Sequence, residues 1–244
     1  MAVATLILIT VACIGWSLWI RRVTWTCRWE VAATLNIALQ GAAVLLMSPL
    51  ASRTVGHWLH ALTGKWNLED YIGHDCYIVA ASAIVYNALG RLASDNEMQR
   101  TFKQYVERPA TLCIPLLLAT FSVGAGARIY RADFFTVPTD FWLSIYWLLL
   151  CGTLIYLLGY GSRALLVLRK DPRSRTMANV YLAACISGIM ACVVRITTAF
   201  VPALQGLENG VLVWFFACVC GAVFALASAH SWRVRTKWFT KVSH

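Results

Sequence analysis

The chain has 244 residues, of which 59% are hydrophobic and 13% charged, with a mean hydropathy of +0.65. A soluble domain carries about 25% charged residues, so a charged surface around a water-soluble core is excluded. The formal charge of +10 would suggest nucleic acid in a soluble protein. Here the charges form short clusters between long apolar runs, the pattern of a chain whose solvent is lipid and whose basic loops lie beside anionic headgroups. Nucleic acid is therefore not expected as a partner.

The first apolar run, 2–20, has no basic residue before it and Arg21-Arg22 after it. That flank predicts a first span rather than a cleaved signal peptide. Further runs follow near 30–47, 71–91, 110–129, 141–167, 177–200 and 210–229. Each has enough residues to cross a hydrocarbon core of ~30 Å at ~1.5 Å per residue. The expectation is all-α: one seven-helix transmembrane domain over 1–230 and a short basic tail over 231–244.

Lys and Arg set the orientation. The 1–2, 3–4 and 5–6 loops and the tail carry Arg21, Arg22, Arg28, Arg91, Arg100, Lys103, Arg108, Arg163, Arg169, Lys170, Arg173, Arg175, Arg233, Arg235, Lys237 and Lys241. The opposite loops carry only Arg53, Lys65, Arg128 and Arg131. The imbalance predicts an outer N-terminus and a cytosolic C-terminus, in the plasma (inner) membrane.

Two connections read as structured. Ser94 and Glu97 form a capping-box pattern, and Met98, Phe102 and Tyr105 share a helical face. This predicts a short amphipathic helix on the cytoplasmic leaflet, ended before Pro109. Val55, Trp58, Leu59, Leu62 and Trp66 predict an interfacial helix on the other side. No loop is long enough for a soluble cofactor domain. The tryptophans, Trp142 and Trp147 among them, fall near span ends as an aromatic belt, with Trp214 a turn inside; a ligand cage is the lesser alternative. Ala184, Gly188 and Cys192, and Ala217, Gly221 and Ala225, repeat every four residues, which lets helices approach closely.

Ionisable residues inside spans are expensive and therefore informative. His74, Asp75, Arg128 and Arg195 all fall in the outer third of the membrane on the expected topology. They form a candidate polar site in which Asp75 pairs with Arg195 or Arg128, suited to a small or anionic ligand. A structural ion pair, with Arg128 merely reaching the interface, is the plainer alternative. Asn87 is expected to make an interhelical hydrogen bond. His57, His60 and His74 have one carboxylate nearby, too few ligands for a metal. The nine cysteines show no C-x-x-C spacing and an odd count, so no disulfide framework is expected. With no G-x-S-x-G, no phosphate loop and no dinucleotide fingerprint, neither catalysis nor a cofactor is expected, an intramembrane enzyme being the weakest of the readings.

The stretch from Asn67 through Glu69, Asp70 and Tyr71 to His74, then Tyr146-Trp147, then Arg169 to Arg173, then a span ending in Val194-Arg195, resembles an actinobacterial and mycobacteriophage family of seven-helix membrane proteins carried under the label of transporter. The likeness spans roughly residues 1–230. It implies the membrane half of such a protein, without the cytoplasmic domain that members usually add. On this reading the chain acts by binding, as a phage-borne modifier of the host envelope that excludes other phages. A small transporter, channel or receptor using the outer polar site is the alternative. The lipid bilayer is the expected partner, with a membrane protein or a second copy of the chain beside it.

Overall fold

The computed structural model describes residues 2–27, 30–201 and 210–242, with the side chains of 235 and 237–242 left aside. Arg28 and Trp29, which entered the charge and belt arguments, lie outside that set, as do the side chains of Arg235, Lys237, Trp238 and Lys241. The described residues contain helices and no strand. In chain order the helices are α1 (Ala2–Ile20), α2 (Val31–Leu46), α3 (Pro49–Thr63), α4 (Leu68–Leu89), α5 (Asp95–Val123), α6 (Phe141–Leu168), α7 (Arg175–Phe200) and α8 (Val211–Val242).

Five helices are long and apolar enough to cross a membrane: α1, α5, α6, α7 and α8. A sixth is reached if α2 and α3, bent by 54° to one another, count as one broken span. The protein is therefore an all-helical membrane protein at that level of detail. The third expected span does form a helix, α4, but it falls outside the apolar set. Its first turns carry Glu69, Asp70, His74 and Asp75, and those side chains dilute an otherwise apolar run.

Paired contacts give each helix a direction. Thr10 and Ser17 on α1 donate to the carbonyls of Cys218 and Ala225 on α8, so the first and last helices run parallel. Gly41 packs on Ile14 while Thr34 meets Arg21, so α2 runs back along α1. His74 meets Tyr146 and Gly161 faces Ile84 and Val85, so α4 and α6 run parallel. Helix α5 opposes α6 through Gly124 with Leu143 and Cys113 with Thr153. Helix α7 opposes both α6 and α8, through Gly188 with Leu158 and Ser187 with the Phe216 carbonyl. Segments 47–67 and 124–140 thus meet at one end, and the basic connections 90–94 and 169–174 at the other.

Local chemistry explains the end where segments 47–67 and 124–140 meet. Asn67 sits at φ 55°, a left-handed conformation that Asn tolerates better than most residues. Its side-chain amide donates to the carbonyls of Gly126 and Ile129, at 2.6 and 2.8 Å, and its Oδ1 accepts from Arg131 N. One side chain thereby pins the 124–131 loop over the start of α4. Asp140 caps α6 by accepting from Leu143 N and also holds Ala125 N, each at 2.8 Å.

Three expectations are corrected. The helix begun at Asp95 does not stop before Pro109: it continues through a π-helical stretch, Lys103–Glu107, to Val123. Pro109 stands in the first turn of the final α-helical stretch, where its missing N–H is least costly. The Ser94 side chain makes no cap hydrogen bond, so the capping-box pattern is not realised. Trp147 and Trp214 are not belt residues: they are 1% and 2% exposed, in the bundle core. Trp16, Trp19, Trp25, Trp58 and Trp142 are exposed, as a belt requires.

The small-residue faces do bring helices together. A Cβ on Gly188 would stand 2.8 Å from Leu158 Cδ1 and 3.1 Å from Cys220 Sγ. Gly188→Val is expected to destabilise by about 1–3 kcal/mol through overpacking, read as a lower melting temperature of the detergent-solubilised chain. Gly152→Val, at a glycine with open space around it, is the control.

Candidate functional site

The four residues singled out in the sequence separate into three places. Arg128 lies at the surface, its side chain 65% exposed and paired with Asp140 at 3.3 Å. That contact belongs to the cap of α6 and not to the bundle interior. Asp75 is half-buried and faces the Tyr71 hydroxyl one turn earlier; among the described residues it forms no ion pair with Arg195 or Arg128. His74 and Arg195, by contrast, come together. They are 3% and 6% exposed and lie on either side of Trp147.

His74 Nδ1 shares a 2.7 Å hydrogen bond with the Tyr146 hydroxyl. Its ring meets Trp147 edge-on at 5.3 Å. The Arg195 guanidinium carbon stands 4.1 Å over the Trp147 ring and 5.7 Å from that of Phe135. The electron-rich faces of these rings offset part of the cost of burying the cation. Nη1 of Arg195 reaches the Phe135 carbonyl at 3.4 Å. Nε and Nη2 have no hydrogen-bond partner among the described residues, although both are buried. The indole N–H of Trp147 is unpartnered as well, while that of Trp214 is directed to the Asp133 carboxylate.

These groups border a cavity of about 90 Å³ between α2, α4, α6, α7 and α8, with Phe135 from the 124–140 connection over it. Its walls are mostly apolar: Ile84, Leu150, Leu154 and Val213 are among them. That space is smaller than an engineered cavity of ~150 Å³ that holds benzene, so a ligand of only a few heavy atoms fits. Beside it, Asp133 lies near enough to act electrostatically on Arg195 without forming an ion pair. Burial pushes the Asp133 carboxyl above the ordinary aspartate range, against the lowering effects of the Phe135 amide and the Arg195 charge.

Nε–H and Nη2–H point side by side along one edge of the guanidinium plane. That edge matches the two oxygens of a carboxylate. The buried cation thus keeps two donors unused beside a walled space.

Sequence reasoning missed Tyr146, Trp147, Trp214 and Phe135 as site residues. Aromatic side chains in a span resemble ordinary packing, and Phe135 lies in a connection. It also passed over Glu69 and Asp70, which are 0% and 2% exposed at the start of α4; acidic residues at a span end read as loop. Asn87 makes no interhelical hydrogen bond among the described residues and instead lines a second cavity at the basic end. His57 and His60 pack around Trp66, with His60 stacked on it at 3.5 Å, apart from His74. No group of three or more potential metal ligands occurs among the described residues. No family model matches the chain, and no curated protein or solved structure is significantly similar to it.

Proposed function

We propose that the chain is a seven-span plasma-membrane protein that binds a small carboxylate-like anion in the cavity at Arg195, as a receptor or transporter open to the outer side. The observation that carries this reading is the unused Nε/Nη2 edge of a guanidinium that is 6% exposed. Evolution of a purely structural arginine would be expected to satisfy those donors, because a buried unsatisfied donor of a charged group costs more than about 1–3 kcal/mol.

Seven crossings are supported by the alternating helix directions and by the parallel course of α1 and α8, which an odd number of crossings requires. Helix α4 then spans with its polar turns turned inward against α2 and α6, where His74 and Asp70 are buried. The Lys and Arg imbalance supports a cytosolic connection 169–174 and an Arg195 near the outer side. A site that binds without catalysing also suits the likeness to phage and actinobacterial membrane proteins. It is indifferent to whether the chain serves a bacterium or a phage that alters its host's envelope.

The test is binding of acetate and propionate to the purified chain in nanodiscs, followed by tryptophan emission, since Trp147 lies against the guanidinium. A saturable change for the carboxylates, weaker for chloride, is expected. No saturable change up to tens of millimolar would sink the proposal.

A further inference from the structure

Six cysteines are buried: Cys113, Cys151, Cys185, Cys192, Cys218 and Cys220. A buried cysteine ordinarily packs as a small hydrophobe with a weakly polar thiol. Three of the six fit that description, each beside a hydroxyl of a neighbouring helix. Cys113 accepts from Thr153 at 3.2 Å, Cys185 is hydrogen-bonded to Ser162, and Cys218 to Thr10. None of these three borders the Arg195 cavity, whereas Cys151, Cys192 and Cys220 all do.

Cys151 on α6 and Cys192 on α7 face each other closely enough for a hydrogen bond between their thiols, and they are 3% and 6% exposed. Their register explains the meeting. Cys151 follows Trp147 by four residues and Cys192 precedes Arg195 by three, spacings that keep each pair on one helix face. Because α6 and α7 are antiparallel, the contact of Arg195 over Trp147 brings the two thiols together one turn deeper in the bundle. Cys220 on α8 and Met47 just past α2 border the same space, so sulfur reaches it from four segments. Arg195 stands near enough to act electrostatically on Cys151. No carboxylate lines the cavity among the described residues.

We propose that Cys151 and Cys192 bind one soft monovalent metal ion of the Cu(I) or Ag(I) class, as a linear dithiolate in the cavity wall. Thiolate sulfur selects such ions, and linear coordination needs only two ligands, where zinc needs four. The step balances without a redox partner: the ion replaces the two thiol protons, which leave to water, and no electron is transferred. The complex then carries one negative charge. The buried guanidinium of Arg195 supplies the matching positive charge, so neither is left buried alone. A divalent soft ion such as Hg(II) gives a neutral complex and leaves that cation uncompensated. Packing accounts for the cysteines that sit beside hydroxyls. It does not account for two facing thiols on a cavity wall beside a buried cation. The assignment does not rest on the carboxylate reading.

The experiment uses the full chain in detergent with its thiols reduced, and with Cys13, Cys27 and Cys76, the three that are not fully buried, replaced by Ser. Ag(I) is titrated and counted by native mass spectrometry, and Cu(I) affinity is read by competition with a chromogenic chelator. One ion per chain is expected to resist the chelator, with two sulfur neighbours in its X-ray absorption spectrum. Cys151→Ala or Cys192→Ala is expected to weaken binding beyond the about 10–100-fold that loss of an outer partner costs. Arg195→Gln, which removes the compensating charge but no ligand, is expected to weaken it by about tenfold. Cys185→Ala is expected to leave it unchanged, and melting of the metal-free variants checks that each folds. Acetate binding is expected to survive in the Cys151→Ala, Cys192→Ala double variant, so the two readings fail separately. No ion held against the chelator, or an affinity unchanged in both single cysteine variants, would overturn the proposal.

Discussion

Replacing Arg195 by Gln is expected to abolish carboxylate binding while leaving the empty protein as stable as before, or more stable. The two halves of that outcome come from the same geometry. Nε and Nη2 of Arg195 are buried and unpartnered, so the folded state without ligand carries the desolvation cost of a cation that its surroundings do not fully repay. Gln removes that cost. It forfeits the 3.4 Å hydrogen bond to the Phe135 carbonyl and the contact over Trp147, a contact worth about 0.5–2 kcal/mol. Binding suffers far more. Two charge-assisted hydrogen bonds at ~1.5–3 kcal/mol each amount to roughly 10²–10⁴-fold in affinity. Arg195→Lys keeps the charge but presents no parallel pair of donors, so an intermediate loss, on the order of tenfold, is expected. Titration of each variant with acetate in nanodiscs, alongside its melting temperature, gives both readings. A large fall in stability with no measurable ligand in the unmodified protein would make Arg195 a packing residue instead.

How much of this was legible beforehand depends on which physical signal each residue leaves in the sequence. Apolar length and alternating charge are one-dimensional signals, and they located helices close to every expected run. Arg195 stood out because a charge within an apolar run is rare. The partner expected for it, Asp75, was inferred from shared depth alone. Depth says nothing about the angle around a helix: Asp75 is adjacent to His74, and adjacent helical residues point about 100° apart. His74 turns toward Tyr146 and Trp147, which leaves Asp75 facing Tyr71 instead. The aromatic shell was hidden for a different reason. A tryptophan near a span end suits the headgroup interface, and only the packing of α6 against α7 places Trp147 under the guanidinium. The continuation of α5 past Pro109 was misread because a proline that ends one helix also fits the first turn of another, and a π-helical stretch joins the two.

Arg21 was hidden most completely. Its place in an Arg-Arg pair after the first span marks it as a cytoplasmic anchor, yet it is 1% exposed. Nη2 pairs with Glu30 Oε2 at 2.8 Å, Nε donates to Thr34 Oγ1, and Nη1 donates to the Ser228 carbonyl. The side chain therefore ties the end of α1 to the start of α2 and to α8. A buried pair of this kind is weak evidence of net stabilisation, but removing Arg21 takes away the closer of the two cations at Glu30, whose other oxygen stands 4.0 Å from Arg91. Arg21→Met is expected to destabilise by about 3–5 kcal/mol. That corresponds to a melting temperature lower by roughly 6–20 °C on the scaling for domains of this size. The double variant Arg21→Met, Glu30→Leu is expected to recover most of the loss, because no charge is then left buried alone and the 2.6 Å hydrogen bond between Thr24 and Thr34 remains. Thermal melting of wild type, both single variants and the double variant closes a double-mutant cycle. A coupling well above 1 kcal/mol is the expected result. Additive losses would instead mean that Arg21 acts through its bonds to Thr34 and Ser228 and not through the charge of Glu30.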